Sequence, residues 1–173
     1  MLPVLLVLLG CSHSLSIGYA KNMLFNADFE NKVASPWFTF QQNPSIELTT
    51  PINQGFSDSK CARIDQSPQT VVAWSNWKQT VYSLTPGGNF ELSAQVRMTN
   101  ITDGHGMSLG VSFFDANGQP VGQSITSPFQ TMALSTFEKQ TVIGQVPMLA
   151  RRAEVRLTQH DHGSVWFDDI ELI

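Results

Sequence analysis

Residues 90–98 read Phe-Glu-Leu-Ser-Ala-Gln-Val-Arg-Met. This strict alternation constrains the chain more than any other feature. Successive side chains of a strand point to opposite faces. Phe90, Leu92, Ala94, Val96 and Met98 therefore share one face, and Glu91, Ser93, Gln95 and Arg97 the other. Pro86-Gly87-Gly88-Asn89 supplies a turn before the strand. The same period recurs in Met107-Ser108-Leu109-Gly110-Val111-Ser112-Phe113, where Phe114 continues the polar face, and in Ala153-Glu154-Val155-Arg156-Leu157. Asp115-Ala116-Asn117-Gly118 is a hairpin signal, since Asn-Gly accepts positive φ cheaply.

After Ala20 there is no long helical periodicity and no internal repeat. Short alternating runs separated by Gly, Pro, Asn and Asp predict an all-β fold. Strands with one apolar face pack in pairs, so the expectation is a jelly-roll β-sandwich of two antiparallel sheets. In the last run, Val165 and Phe167 share one parity, and Ile170 and Leu172 the other. A bulge or bend near Asp168-Asp169 is predicted.

The N-terminal Leu2–Leu9 run is apolar but too short to span a bilayer, and reads as the core of a signal peptide. The expected organisation is a leader over residues 1–20 and one domain over residues 21–173. Two maturation sites compete. Leu8-Leu9-Gly10-Cys11 resembles a bacterial lipobox, with Cys11 lipidated and anchoring the chain to a membrane. Gly18-Tyr19-Ala20 offers a conventional cleavage site. Either gives export, to the outer surface or periplasm as a lipoprotein, or as a secreted protein. Cys61 is then a lone thiol in a strand-like run, read as a buried core residue. Net charge is −4 with 14% charged residues, so no basic patch argues for nucleic acid.

Four pieces resemble carbohydrate-binding modules of the family four, nine and twenty-two type, which are jelly rolls of the galactose-binding-domain-like kind. The opening Asn22-Met23-Leu24-Phe25-Asn26-Ala27-Asp28-Phe29-Glu30, followed by Pro36-Trp37, is similar to that group's first strand. Gly55-Phe56-Ser57-Asp58-Ser59-Lys60-Cys61-Ala62-Arg63-Ile64 resembles a second piece. Trp77-Lys78-Gln79-Thr80-Val81 with Leu84-Thr85-Pro86-Gly87 resembles a third, and Val165-Trp166-Phe167-Asp168-Asp169-Ile170-Glu171-Leu172 the closing strand. The resemblance implies carbohydrate binding without catalysis, a role such modules usually play beside a hydrolase domain. It also implies a structural calcium held by Glu30, Asp168 and backbone carbonyls near Asp28 and Ser59-Lys60. Calcium favours six to eight hard oxygen ligands of this mixed kind.

Flat rings stack on pyranose faces, which makes Trp74, Trp77, Trp166 and Phe114 candidate platforms. Trp37 is expected in the core. Gln79, Gln95, Arg97, Glu154 and Arg156 are candidate partners for sugar hydroxyls, because amide and guanidinium groups offer paired hydrogen bonds. His160-Asp161-His162 reads as a turn, and Asn100-Ile101-Thr102 fits a glycosylation acceptor. No P-loop, nucleophile elbow or zinc motif is present, and no motif selects a carboxylate pair such as Glu91 with Glu154. The competing expectation is a surface or assembly domain that binds protein rather than sugar.

Overall fold

The computed structural model describes residues 21–173 except Asp58, Asp103 and Gly104. The leader, Cys11 and the site near Ala20 lie outside the described residues. Among the described residues ten strands form: β1 (Phe38–Gln41), β2 (Glu47–Thr49), β3 (Ala62–Gln66), β4 (Ser75–Val81), β5 (Asn89–Thr99), β6 (Met107–Phe114), β7 (Ile125–Thr126), β8 (Leu134–Gln145), β9 (Arg152–Gln159) and β10 (Gly163–Leu172). One five-stranded sheet has the order β1-β4-β9-β6-β7, the other β2-β3-β10-β5-β8, and every pairing is antiparallel.

The alternation in the sequence becomes the core. Phe90, Leu92, Ala94, Val96 and Met98 of β5 are buried with Ile64 of β3 and Val165, Phe167, Ile170 and Leu172 of β10. Against them pack Trp77 and Val81 of β4, Ala153, Val155 and Leu157 of β9, and Met107, Leu109, Val111 and Phe113 of β6. Each fully buried aliphatic or phenyl group contributes about 1.5–3 kcal/mol relative to exposure. The expected bulge in β10 is present: the register with β5 shifts between Asp168 and Glu171, and Asp169 adopts φ 44°. It reverses parity, so Ile170 and Leu172 return to the core.

The segment before β1 closes one edge of the sandwich. Asn22 Nδ2 donates to Ile170 O (2.8 Å), while Asn22 Oδ1 accepts from Leu172 N (3.0 Å). Trp37 is buried as expected, stacking on Phe29 at 5.2 Å and donating its indole N–H to Asn26 O (2.9 Å). Cys61 is buried, and burial pushes its thiol up to about 12, which makes it inert at neutral pH.

Candidate functional site

The outward residues of the first sheet form a grid fixed by strand register. One row runs Phe40, Asn76, Thr158, Ser108, and the next Phe38, Lys78, Arg156, Gly110, Thr126. Glu154 and Ser112 follow in a third row. A groove of about 360 Å³ lies over the first two rows, bordered also by Gln42, Trp74 and Phe129.

Its apolar wall stands where β4 begins and β9 ends. Trp74 is 37% exposed and Phe129 40% exposed, with ring centroids 5.8 Å apart. Behind Trp74, His160 stacks at 4.2 Å and 18°, and His105 meets His160 at 4.9 Å. Burial and the neighbouring His105 lower the His160 pKa, which favours the neutral His160 ring behind Trp74. Asp161, fully buried, accepts from the backbone N–H groups of Thr102, His105 and Gly106 (3.1, 3.2 and 3.0 Å) and so fixes the loop carrying His105. The turn expected at His160-Asp161-His162 therefore organises the wall.

The floor is polar. Thr158 Oγ1 donates to Asn76 Oδ1 (2.6 Å), which leaves the amide N–H groups of Asn76 for the groove. Lys78 Nζ lies 3.2 Å from Glu154 Oε1 and over the Phe40 ring at 4.9 Å. Arg156 Nε is buried without a hydrogen-bond partner. Rings at the margin with donors and acceptors in the floor can hold a flat, hydroxyl-rich ligand.

The sequence-predicted residues divide between three places. Arg156, Glu154, Phe114 and Trp74 lie on the outer side of this sheet, with Phe114 at the far end under Arg152 (4.3 Å). Gln95, Arg97 and Trp166 lie on the outer side of the opposite sheet. They do not form one surface with Arg156 and Phe114, because the core separates the two sheets. Trp77 and Gln79 lie on neither outer face, which corrects their expected role. Trp77 is 4% exposed, packs its edge on Phe29 at 5.6 Å and donates to Arg63 O (3.2 Å). Gln79 is 1% exposed and bonds both the N–H and the carbonyl of Phe25 (2.8 and 2.9 Å).

Trp166 is also corrected as a platform. Its parity is outward, yet it is only 8% exposed. Arg97 and Arg63 cover its ring at 4.3 and 5.1 Å, and its indole N–H donates to Gln54 Oε1 (2.8 Å). Gln54 thus lies against this face, and Arg97 also donates to Gln54 O. Sequence reasoning missed Asn76, Lys78, Thr158, Ser108, Thr126, Phe40, Gln42 and Phe129. Asn76 and Lys78 have parity opposite to Val81, and Thr158 shares parity with Arg156, so a signal existed for these three. Phe129 sits in a loop and gave none.

Of the expected metal ligands, Asp168, Ser59 and the Lys60 carbonyl come together, but no group of three or more His, Cys, Asp or Glu side chains that could hold a metal ion forms among the described residues. Asp168 Oδ2 accepts from Phe56 N (2.7 Å) and Ser59 Oγ (3.4 Å), and Glu30 Oε1 accepts from Lys60 N (2.6 Å). A Cβ added to Gly55 would lie 2.5 Å from Asp168 Oδ2, 2.5 Å from Lys60 O and 2.7 Å from Ser59 Oγ. Three oxygens of the kind calcium takes thus converge where glycine leaves space. Asp28 lies close enough, with Glu30, to raise the pKa of Asp169, whose main perturbation is burial. Burial pushes the Asp168 carboxyl up to about 6, and no lysine or arginine lies within ion-pair distance of it among the described residues.

No family model matches the chain, and no curated protein matches it. Solved structures do. The enzymatically active domain of bacteriophage CBA120 tailspike protein 4 aligns with TM-score 0.67 and 22% identity over 87% of this chain. This chain spans 21% of that tailspike chain. The fold is a jelly roll. TmCBM61, solved in complex with β-1,4-galactotriose, aligns with TM-score 0.57 and 14% identity over 89% of this chain and 99% of its own. The CBM22-1 xylan-binding domain of Paenibacillus barcinonensis Xyn10C aligns with TM-score 0.61 and 10% identity over 84% and 90%. At these identities the likeness establishes the architecture, and one architecture hosts several functions.

Proposed function

We propose that the protein binds glycan in the groove of the β1-β4-β9-β6-β7 sheet and does not alter it. The observation that carries this reading is the pairing of an exposed Trp74–Phe129 wall with the Asn76, Thr158 and Arg156 floor. The wall offers ring faces to the apolar side of a sugar, and the floor offers hydrogen bonds to its hydroxyls. Solved structures of the same fold named for galactotriose and xylan binding support it by analogy.

Hydrolysis needs two carboxylates flanking one bond. Glu154 is the one carboxylate among the described strand residues on this face, and Lys78 holds it. Glu91 belongs to the other sheet. Export, through lipidated Cys11 or cleavage near Ala20, would place the groove where extracellular glycan is met. Calcium at Gly55, Ser59, Lys60 and Asp168 would tie the last strand to the loop over Trp166, with Glu30 bracing that loop through Lys60 N.

A glycan array with the wild type, Trp74→Ala and Phe129→Ala tests the reading. Wild-type binding weakened by about 1–3 kcal/mol in Trp74→Ala is expected for an aromatic anchor. Absence of binding to every glycan would return the protein to the protein-interaction reading.

A further inference from the structure

The groove carries an unbalanced charge. Register places Lys78 directly opposite Arg156 on neighbouring strands. Like charges directly opposite are destabilising, so this pair persists against its own repulsion. Glu154 neutralises Lys78 at 3.2 Å, and the Phe40 ring beneath Lys78 engages it further. Nothing comparable serves Arg156.

The contrast with other arginines is direct. Arg63 pairs with Asp65 at 2.7 Å and lies over Trp166. Arg97 is held by Trp166, Phe137 and Gln54 O. Arg152 covers Phe114. Arg156 has no carboxylate within 4.0 Å and no ring beneath it among the described residues; its Nε is buried without a partner, as are those of Arg63 and Arg97, so the missing carboxylate and ring are what set it apart. On its other side the register neighbour is Gly110, which has no side chain to cover the guanidinium. A Cβ there would lie 3.7 Å from Arg156 Nη2 and 3.1 Å from Thr126 Cγ2. Gly110 thus has no room for a side chain, and the guanidinium lies against its backbone at the opening of the groove.

We infer that the ligand carries an acidic substituent, and that Arg156 takes it in that opening. This inference rests on the glycan reading and narrows it to acidic glycans. A guanidinium presents a planar fork that matches a carboxylate or sulfate with two parallel hydrogen bonds. The asymmetry supplies the missing anion from outside: two facing cations, one internal carboxylate, and one cation left over in a groove. Ser108 and Thr126 flank the opening and would meet hydroxyls adjacent to the acid group. The protein as a whole is acidic, with net charge −4, so attraction must come from this local contact rather than from its overall field.

Isothermal titration with matched pairs tests this. Polygalacturonate against its methyl ester removes the carboxylate charge while the backbone stays the same. A sulfated galactan against its desulfated form does so for sulfate. The acidic member of at least one pair is expected to bind about tenfold or more tightly, the range of one hydrogen bond to a charged group. Which pair discriminates identifies the acid group. Arg156→Gln should bring the two members of that pair to equal affinity, and salt should weaken only the acidic member. If the wild type binds neutral members as tightly as acidic ones, the inference falls and glycan binding stands. If it binds none of the four and no glycan on an array, both fall.

Discussion

Replacing Trp166 with alanine separates two accounts of this protein. The indole faces outward from β10, yet two guanidinium groups lie over it and Gln54 bonds its N–H, leaving 8% exposed. Truncating a buried Trp to Ala costs about 3–5 kcal/mol. The two cation–π interactions that the indole makes, about 0.5–2 kcal/mol each, fall within that figure. The Gln54 Oε1 acceptor is deprived of its 2.8 Å donor as well. For a domain of this size each kcal/mol moves Tm by about 2–4 °C, so a fall of about 6–20 °C is expected. The groove lies on the other sheet, where effects of a distant substitution are nearly independent. Glycan affinity at a temperature where the variant is folded should match the wild type. Calorimetry with parallel titration measures both. Trp166→Phe, which keeps a smaller ring between the arginines and loses the Gln54 bond with part of the ring volume, should cost less than Trp166→Ala, about 1–3 kcal/mol. An unchanged Tm with abolished glycan affinity in Trp166→Ala would refute the reasoning and move the site to the opposite sheet.

Two further outcomes follow from buried polar groups. Gln79→Ala leaves the backbone N–H and carbonyl of Phe25 without their partner, and should cost about 1–3 kcal/mol by urea denaturation, with no effect on glycan binding. A loss of binding at full stability would place Gln79 in the site instead. Calcium in hundredfold excess over its Kd should add about 2.7 kcal/mol, or about 5–11 °C in Tm, over chelator-stripped protein. Asp168 in the metal-free chain has its carboxyl pushed up to about 6 from 3.8, so the folded state holds the proton more firmly than the unfolded state. Metal-free stability therefore falls as pH rises through the window from about 4 to about 6, and the calcium effect grows across the same window. Equal melting of stripped and calcium-loaded protein at about pH 7 would remove the metal from the account.

Strand parity carried much of the fold. The apolar faces of β5, β6, β9 and β10 were legible because each alternates cleanly, and the bulge at Asp168-Asp169 was legible as a change of parity. β8 was not. It is an edge strand with many exposed positions on both sides, so polar residues such as Glu138 and Gln140 occupy the parity of Val142. The groove was half legible. Parity states that Arg97 and Arg156 both point outward, but it does not state from which sheet, and the strand order that separates them depends on long-range pairing. Nor does alternation reveal that Gln54 meets the Trp166 indole. On β4 the inward set is Ser75, Trp77, Gln79 and Val81, half polar, because Gln79 is spent on the backbone of Phe25. That disguises Asn76 and Lys78 as the groove-facing pair.

Amide and indole NMR shifts during titration with a bound glycan locate the site most directly. Movement is expected for the Trp74 indole N–H and for the Asn76, Ser108, Arg156 and Thr158 amides, which line one groove. The Trp77 and Trp166 indole signals, each already bonded within the protein, should stay fixed. Shifts confined to Gln95, Arg97 and Trp166, with the Trp74 signals unmoved, would contradict a binding site in this groove.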